Sequence, residues 1–267
     1  MTSSDRGSVP TETQPDGPRS SSSVGKKEKK HQLPLWQETI LLLAVALVLA
    51  IAIKALFLQA FYIPSESMEP GLVKDDRILV QKVSYWGDGK PQRGDVVVFK
   101  DPGGWLDGAA AAGPTGTIPK VMAKIGLYPT GGHLVKRVIG VAGDTIECCD
   151  DQGRILLNGK PLEEGTYLRD EKGTKCNGPM PTGLKCDRDW KTGPVPDGHI
   201  FVMGDNRAHS ADSSQHMCRP TVTDCVSGRE FVSADLVVGK VFVLLWPRQR
   251  FDLLERPDSF EDVPDAS

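Results

Sequence analysis

From Ile40 to Ile53 the chain sets fourteen consecutive Ile, Leu, Val or Ala residues, and up to Ile63 only Lys54, Gln59 and Tyr62 add polar groups. As a helix those 24 residues rise about 36 Å, more than the hydrocarbon thickness of about 30 Å, so one membrane-spanning helix is predicted within residues 34–62. Lys54 falls near its outer end, where a long stem can carry the ammonium to the headgroups. No second run is long enough to span: Leu236–Trp246 is short and interrupted by Gly239 and Lys240. After the span the pattern changes to short β-branched runs bounded by Gly, Pro and Asp. Arg77–Val83, Asp95–Lys100, Leu134–Ala142, Ile155–Leu157, Ile200–Met203 and Leu236–Leu245 read as strands, and Asn158-Gly159 as a hairpin turn. Two Gly/Pro-rich excursions, near 102–132 and 165–198, interrupt them.

The predicted fold class is therefore mainly β. It consists of an antiparallel sheet or partly open barrel over residues 63–249, with a smaller inserted lobe, tethered by one N-terminal transmembrane helix. Residues 1–33 are predicted to be a disordered tail, because sixteen of the first 25 are Ser, Thr, Pro or Gly and cannot bury apolar surface. Residues 250–267 read as a short mixed-charge tail.

Charge settles partners and orientation. Thirty-two Lys+Arg against 35 Asp+Glu give a net charge of −3, which leaves no basic field for nucleic acid. Lys26, Lys27, Lys29 and Lys30 precede the span, whereas Glu66, Glu69, Asp75 and Asp76 outnumber Lys74 and Arg77 after it. The positive-inside rule puts the N-terminus in the cytoplasm and the β domain outside the cell membrane. A cleaved secretory signal shares the basic-then-apolar pattern, but its apolar region is shorter and a small-x-small pair follows it; here Ala50-Ile-Ala52 lies inside the run.

All six cysteines follow the span, an even number in an oxidising compartment, so disulfides are expected. Cys218 with Cys225 and Cys176 with Cys186 are the candidate pairs, although spacing alone leaves fifteen pairings open. Zinc is the competing use, but no C-x-x-C or His/Cys spacing of the usual kind occurs. No metal or cofactor is expected.

Three segments could carry chemistry. In Ile63-Pro-Ser-Glu-Ser-Met-Glu-Pro70, directly after the span, Ser65 and Ser67 point the same way if the backbone is extended. A plain membrane-exit turn would have the same composition. In Leu134–Ala142, Leu134, Lys136 and Val138 share one face and Arg137 lies on the other, so one of the two basic residues is expected to be buried. If it is Lys136, desolvation lowers its pKa and makes it a usable base; the alternative is a surface strand whose two cations splay into water. Met203–Arg207 with Ser210–Ser214 forms a polar loop directly after an apolar strand, suited either to function or to a simple turn network.

Together and in this order the three segments resemble the bacterial type I signal peptidases, the Ser/Lys leader peptidases, in their single-span form, over roughly residues 36–246. The resemblance implies Ser67 as nucleophile, Ser65 with the Ser67 N–H as the oxyanion hole, and Lys136 as general base. It implies that Ser210 orients the lysine amine, with Asp205, Asn206, Arg207 and Asp212 in support, and that Ile63, Pro64 and Met68 meet substrate. The implied substrates are exported pre-proteins, cut after a small-x-small site by an enzyme expected to work as a monomer at the lipid surface. The family's usual Arg after Asp-Ser is absent, because position 214 is Ser. Rival readings are a Ser/His/Asp hydrolase using His209 or His133, and a penicillin-recognising enzyme with S-x-x-K, whose only match, Ser23 to Lys26, falls in the tail. A non-catalytic extracellular β scaffold is the third.

Overall fold

A computed structural model of the protein describes residues 34–106, 116–117, 132–169, 190–218 and 225–266. Cys176, Cys186, most of both excursions and the N-terminal tail lie outside the described residues. The chain falls into two units, residues 1–45 and 46–267.

Helix α1 covers Leu35–Phe57, apolar on every side, with Ile40, Leu43, Leu47, Val48 and Ile51 among its exposed side chains. A helix satisfies its own backbone, which a span without water requires. Its 23 residues rise about 34 Å, still enough to cross a bilayer. The predicted helix to residue 62 is corrected: Leu58–Tyr62 forms strand β1, paired antiparallel with β2 (Arg77–Gln81), Phe61 opposite Ile78 and Tyr62 opposite Arg77. Phe61 is buried and Tyr62 exposed, the alternation of a half-covered strand, and the shorter helix needs no further length.

The remaining strands are β3 (Val96–Lys100), β4 (His133–Gly140), β5 (Ile146–Cys148), β6 (Ile155–Leu157), β7 (Lys160–Pro161), β8 (Trp190–Thr192), β9 (His199–Met203), β10 (Val232–Ser233), β11 (Val237–Trp246) and β12 (Asp252–Leu253). The main antiparallel sheet runs β1-β2-β11-β3-β4-β9-β10, with β12 on β11. Register shifts in β11 and between β4 and β9 bend it into a half barrel, since a bulge adds twist where the ladder is interrupted. The fold is thus mainly β with an inserted lobe, as expected. That lobe is the second sheet, β7-β6-β5-β8, which recruits residues 146–161 as well as β8 from inside the predicted 165–198 excursion. Asn158 and Gly159, both at positive φ, turn β6 into β7.

Three apolar clusters hold the two sheets. Val97, Phe99, Leu134 and Val138 lie in one, Ile63, Met68, Ile78 and Val98 in another, and Ile139, Ile155, Phe201 and Met203 in the third. The third cluster also contains Phe260 and Val263, so the C-terminal segment is anchored in the core rather than being only a polar tail. Cys218 is bonded to Cys225, and Cys148 to the adjacent Cys149.

Candidate active site

Strand β4 lies between β3 and β9, with Lys136 opposite Val97 and Arg137 opposite Met203. Its odd and even positions both meet apolar clusters, which leaves neither basic residue a route to water: Lys136 is 4% and Arg137 6% exposed. The expectation that one of the two would be buried is corrected to both. They are accommodated differently. Asp205 accepts two bonds from the Arg137 guanidinium, at 2.8 and 2.7 Å, and the Tyr167 ring lies 4.2 Å beneath it. Lys136 has no carboxylate within ion-pair distance among the described residues; its Nζ is 2.6 Å from Ser67 Oγ. Burial lowers the Lys136 pKa from 10.5 to about 8, against the opposing pull of the Asp212 and Asp205 charges.

The loop that presents Ser67 is tied down by its own backbone. Ile63 N–H donates to Asp76, Asp75 N–H to Ile63, and Leu72 N–H to Met68. Ile63, Met68 and Leu72 are sunk into the core. Of the residues expected to meet substrate, Ile63 and Met68 are buried and Pro64 is exposed. Ser65 is exposed, with its Oγ 3.2 Å from that of Ser67; the backbone bends at Ser65–Ser67 rather than running extended, so the two hydroxyls meet across a turn. Among the described residues the Ser67 hydroxyl bonds Lys136 and Ser65 and no histidine, and the Ser67 N–H has no partner.

The third segment grips the nucleophile from the other side. Asn206 N–H donates to the Ser67 carbonyl at 3.0 Å and its Nδ2 to the Glu66 carbonyl at 3.1 Å. A Cβ at position 204 would come within 2.4 Å of both the Ser67 carbonyl and Ser210 Oγ, so only glycine permits this approach. Ser210 donates its hydroxyl to Asp212 rather than to the lysine amine. Asp212 also accepts from the Gly204 N–H and, on its other oxygen, from both the N–H and hydroxyl of Ser214. Ser214 thus braces the aspartate where the resembling family carries arginine. Arg207 donates to the Gly204 carbonyl and forms a buried ion pair with Glu164. Glu164 and Tyr167 lie in or beside an excursion with no periodicity, and no sequence signal marks them.

Burying Lys136 has a stability consequence with a definite sign. Between pH 8 and 10.5 the unfolded chain holds a proton that the folded one has lost, so the cost is complete below 8 and gone above 10.5. Lys136→Met is expected to raise folding stability at pH 7 by about 3 kcal/mol, the gain fading toward pH 10.5. Thermal melts across that range check it.

The family model described as "Signal peptidase, peptidase S26" matches residues 36–246. The chain is 35% identical over 235 residues to the signal peptidase I of Mycobacterium tuberculosis H37Rv, covering 82% of this chain and 75% of that protein. It is 35% identical over 255 residues to the probable signal peptidase I of Mycobacterium leprae, 86% and 82% covered. It is 32% identical over 197 residues to signal peptidase I U of Bacillus subtilis, 73% and 87% covered. A crystal structure of a signal peptidase I from Enterococcus faecalis superimposes with a TM-score of 0.30 at 24% identity, over 57% of this chain and 96% of that one.

Proposed function

Because the chain belongs to the signal peptidase family, peptidase S26, and is a serine peptidase whose family removes signal peptides, we propose that Ser67 and Lys136 are its catalytic dyad. We propose further that it cuts exported pre-proteins after a small-x-small site. The observation that carries the dyad is the buried lysine amine 2.6 Å from the serine hydroxyl.

In this reading the reaction runs in two stages, acylation and deacylation. Ser67 Oγ attacks the scissile carbonyl carbon while its proton passes to the neutral Lys136 amine. The carbonyl oxygen takes the electron pair and is met by the Ser67 N–H and the Ser65 hydroxyl. Collapse breaks the C–N bond, and the Lys136 ammonium returns the proton to the leaving amine. Water, deprotonated by the same amine, then adds to the acyl carbon; the ester bond to Ser67 Oγ breaks, and the Lys136 ammonium returns its proton to the serine oxygen. With a pKa of about 8 the amine is neutral in about one molecule in five at pH 7.4, against about one in a thousand for an unperturbed lysine. That difference is about 3 kcal/mol of availability, supplied by burial alone.

The tail of residues 1–33 is cytoplasmic in this reading, α1 spans the membrane, and the β domain with its Cys218–Cys225 bond faces outward as a monomer at the lipid surface. Ser67 follows the span by only ten residues, close to where a signal segment held in the same bilayer would emerge. The test is cleavage of a precursor with an Ala-x-Ala site by the full chain in lipid vesicles, the new N-terminus read by mass spectrometry. Cleavage after the second Ala supports the reading, and uncut precursor overturns it. Ser65→Ala, which removes one oxyanion donor but leaves the dyad, is expected to lower kcat about 10²–10³-fold with little change in KM.

A further inference from the structure

One short stretch, Leu162–Arg169, makes contacts with all three segments of the site. Leu162 is fully buried and its N–H donates to Ile155, which ties the stretch to the second sheet. Glu164, 4% exposed, pairs with Arg207 and accepts the Tyr167 hydroxyl at 2.8 Å. The Tyr167 ring supports Arg137, the neighbour of the base. Arg169 N–H donates to the Asp205 carbonyl, and the Arg169 side chain pairs with Glu69. Leu168 bridges to Pro70 at the end of the serine loop.

Glu164 touches neither Ser67 nor Lys136, so any effect on the reaction must pass through what it holds. The path is short. Glu164 fixes Arg207; Arg207 Nε donates to the Gly204 carbonyl at 2.9 Å; the Gly204–Asn206 turn carries the two Asn206 bonds to the Glu66 and Ser67 carbonyls. A buried ion pair is weak as a source of stability, since apolar residues of similar volume often do as well, and a role in fixing geometry is the better-attested use. Resting on the dyad reading above, we propose that Glu164 is a positioning residue for cleavage, acting through Arg207 to hold the backbone of the nucleophile. The Tyr167 hydroxyl restrains the same carboxylate. Displacements of about 1 Å at a nucleophile are enough to cost about 10²-fold in rate.

The test is a double-mutant cycle on precursor cleavage with Glu164→Gln, Arg207→Met and both together. Each single variant is expected to lower kcat about 10²-fold with KM within about twofold. If the two act as one unit, the double variant falls no further than the worse single one. Losses that multiply to about 10⁴-fold, a change confined to KM, or a kcat within twofold of wild type for Glu164→Gln would each overturn the proposal. Glu163→Gln, on the exposed neighbouring carboxylate that pairs with Arg154, is the control and leaves kcat unchanged. Hydrogen exchange followed by mass spectrometry reports on the loop independently of turnover. Glu164→Gln should raise exchange in the peptide containing the Asn206 amide, with the β11 core unaffected, whereas unchanged protection there contradicts the proposal. Lys136→Ala assayed alongside reports on the dyad alone, so the two readings fail separately.

Discussion

Lys136→Ala and Ser67→Ala are each expected to lower kcat on a small-x-small precursor by about 10⁴-fold or more, and the double variant by little beyond either. Without Ser67 the acyl-enzyme has no oxygen to form on. Without Lys136 the hydroxyl keeps its proton, because the remaining partner of Ser67 Oγ among the described residues is the Ser65 hydroxyl, itself no base. Residual turnover would come from binding and from the oxyanion donors. Folding should survive both changes, since the first removes a buried cation and the second a single oxygen at a site 5% exposed. KM is expected to move little, because neither group is asked to hold the uncut precursor. Kinetics on the same vesicle-embedded protein check both variants, and a loss under tenfold for either would remove it from the chemistry. Separate His209→Ala and His133→Ala variants should keep their activity, in line with a serine hydroxyl bonded to lysine and serine.

Asp205→Ala should have the largest effect on stability. It strands the Arg137 guanidinium, 6% exposed, whose two charge-assisted bonds go to that carboxylate. The Gly94 carbonyl accepts from the same guanidinium at 3.0 Å but carries no charge to offset it. Breaking a buried pair in this way costs about 3–5 kcal/mol, which for a domain of this size lowers Tm by about 10 °C. Arg154→Ala provides the contrast, because its partners Asp150 and Glu163 lie near the surface and exposed pairs are worth about 0–1 kcal/mol. Calorimetry of the two variants side by side is the measurement; equal shifts would mean that burial does not set the cost.

Short apolar strands bounded by Gly, Pro or Asp are legible within a few residues, as at Ile155–Leu157 and Val96–Lys100. What stays hidden follows from uniform or unpatterned chemistry. The change from helix to strand at Phe57 leaves no mark, because apolar composition continues across it and only pairing with Arg77–Gln81 selects the strand. Alternation along Leu134–Ala142 allows one buried cation; clusters on both faces of β4 bury two, and the one with a carboxylate partner stays charged while the other is poised to lose its proton. The bracing by Ser214 shows in the sequence only as a missing arginine, since a hydroxyl can serve where its own N–H aims at the same oxygen. Glu164 and Tyr167 carry no signal, because contacts between distant segments leave no period. The anchoring role of Phe260 and Val263 is masked by the charges around them.

The claim on which this mechanism stands is that Lys136 works as a neutral amine tuned by burial. The pH dependence of kcat/KM for precursor cleavage, from pH 6 to 10, tests it most directly, since that quantity reports ionisation in the free enzyme. Activity should rise tenfold per pH unit on the acid side and level off through an apparent pKa of about 8. A profile that levels off near 6.5, the range of histidine, or that still climbs at pH 10 as an unperturbed lysine would require, contradicts it.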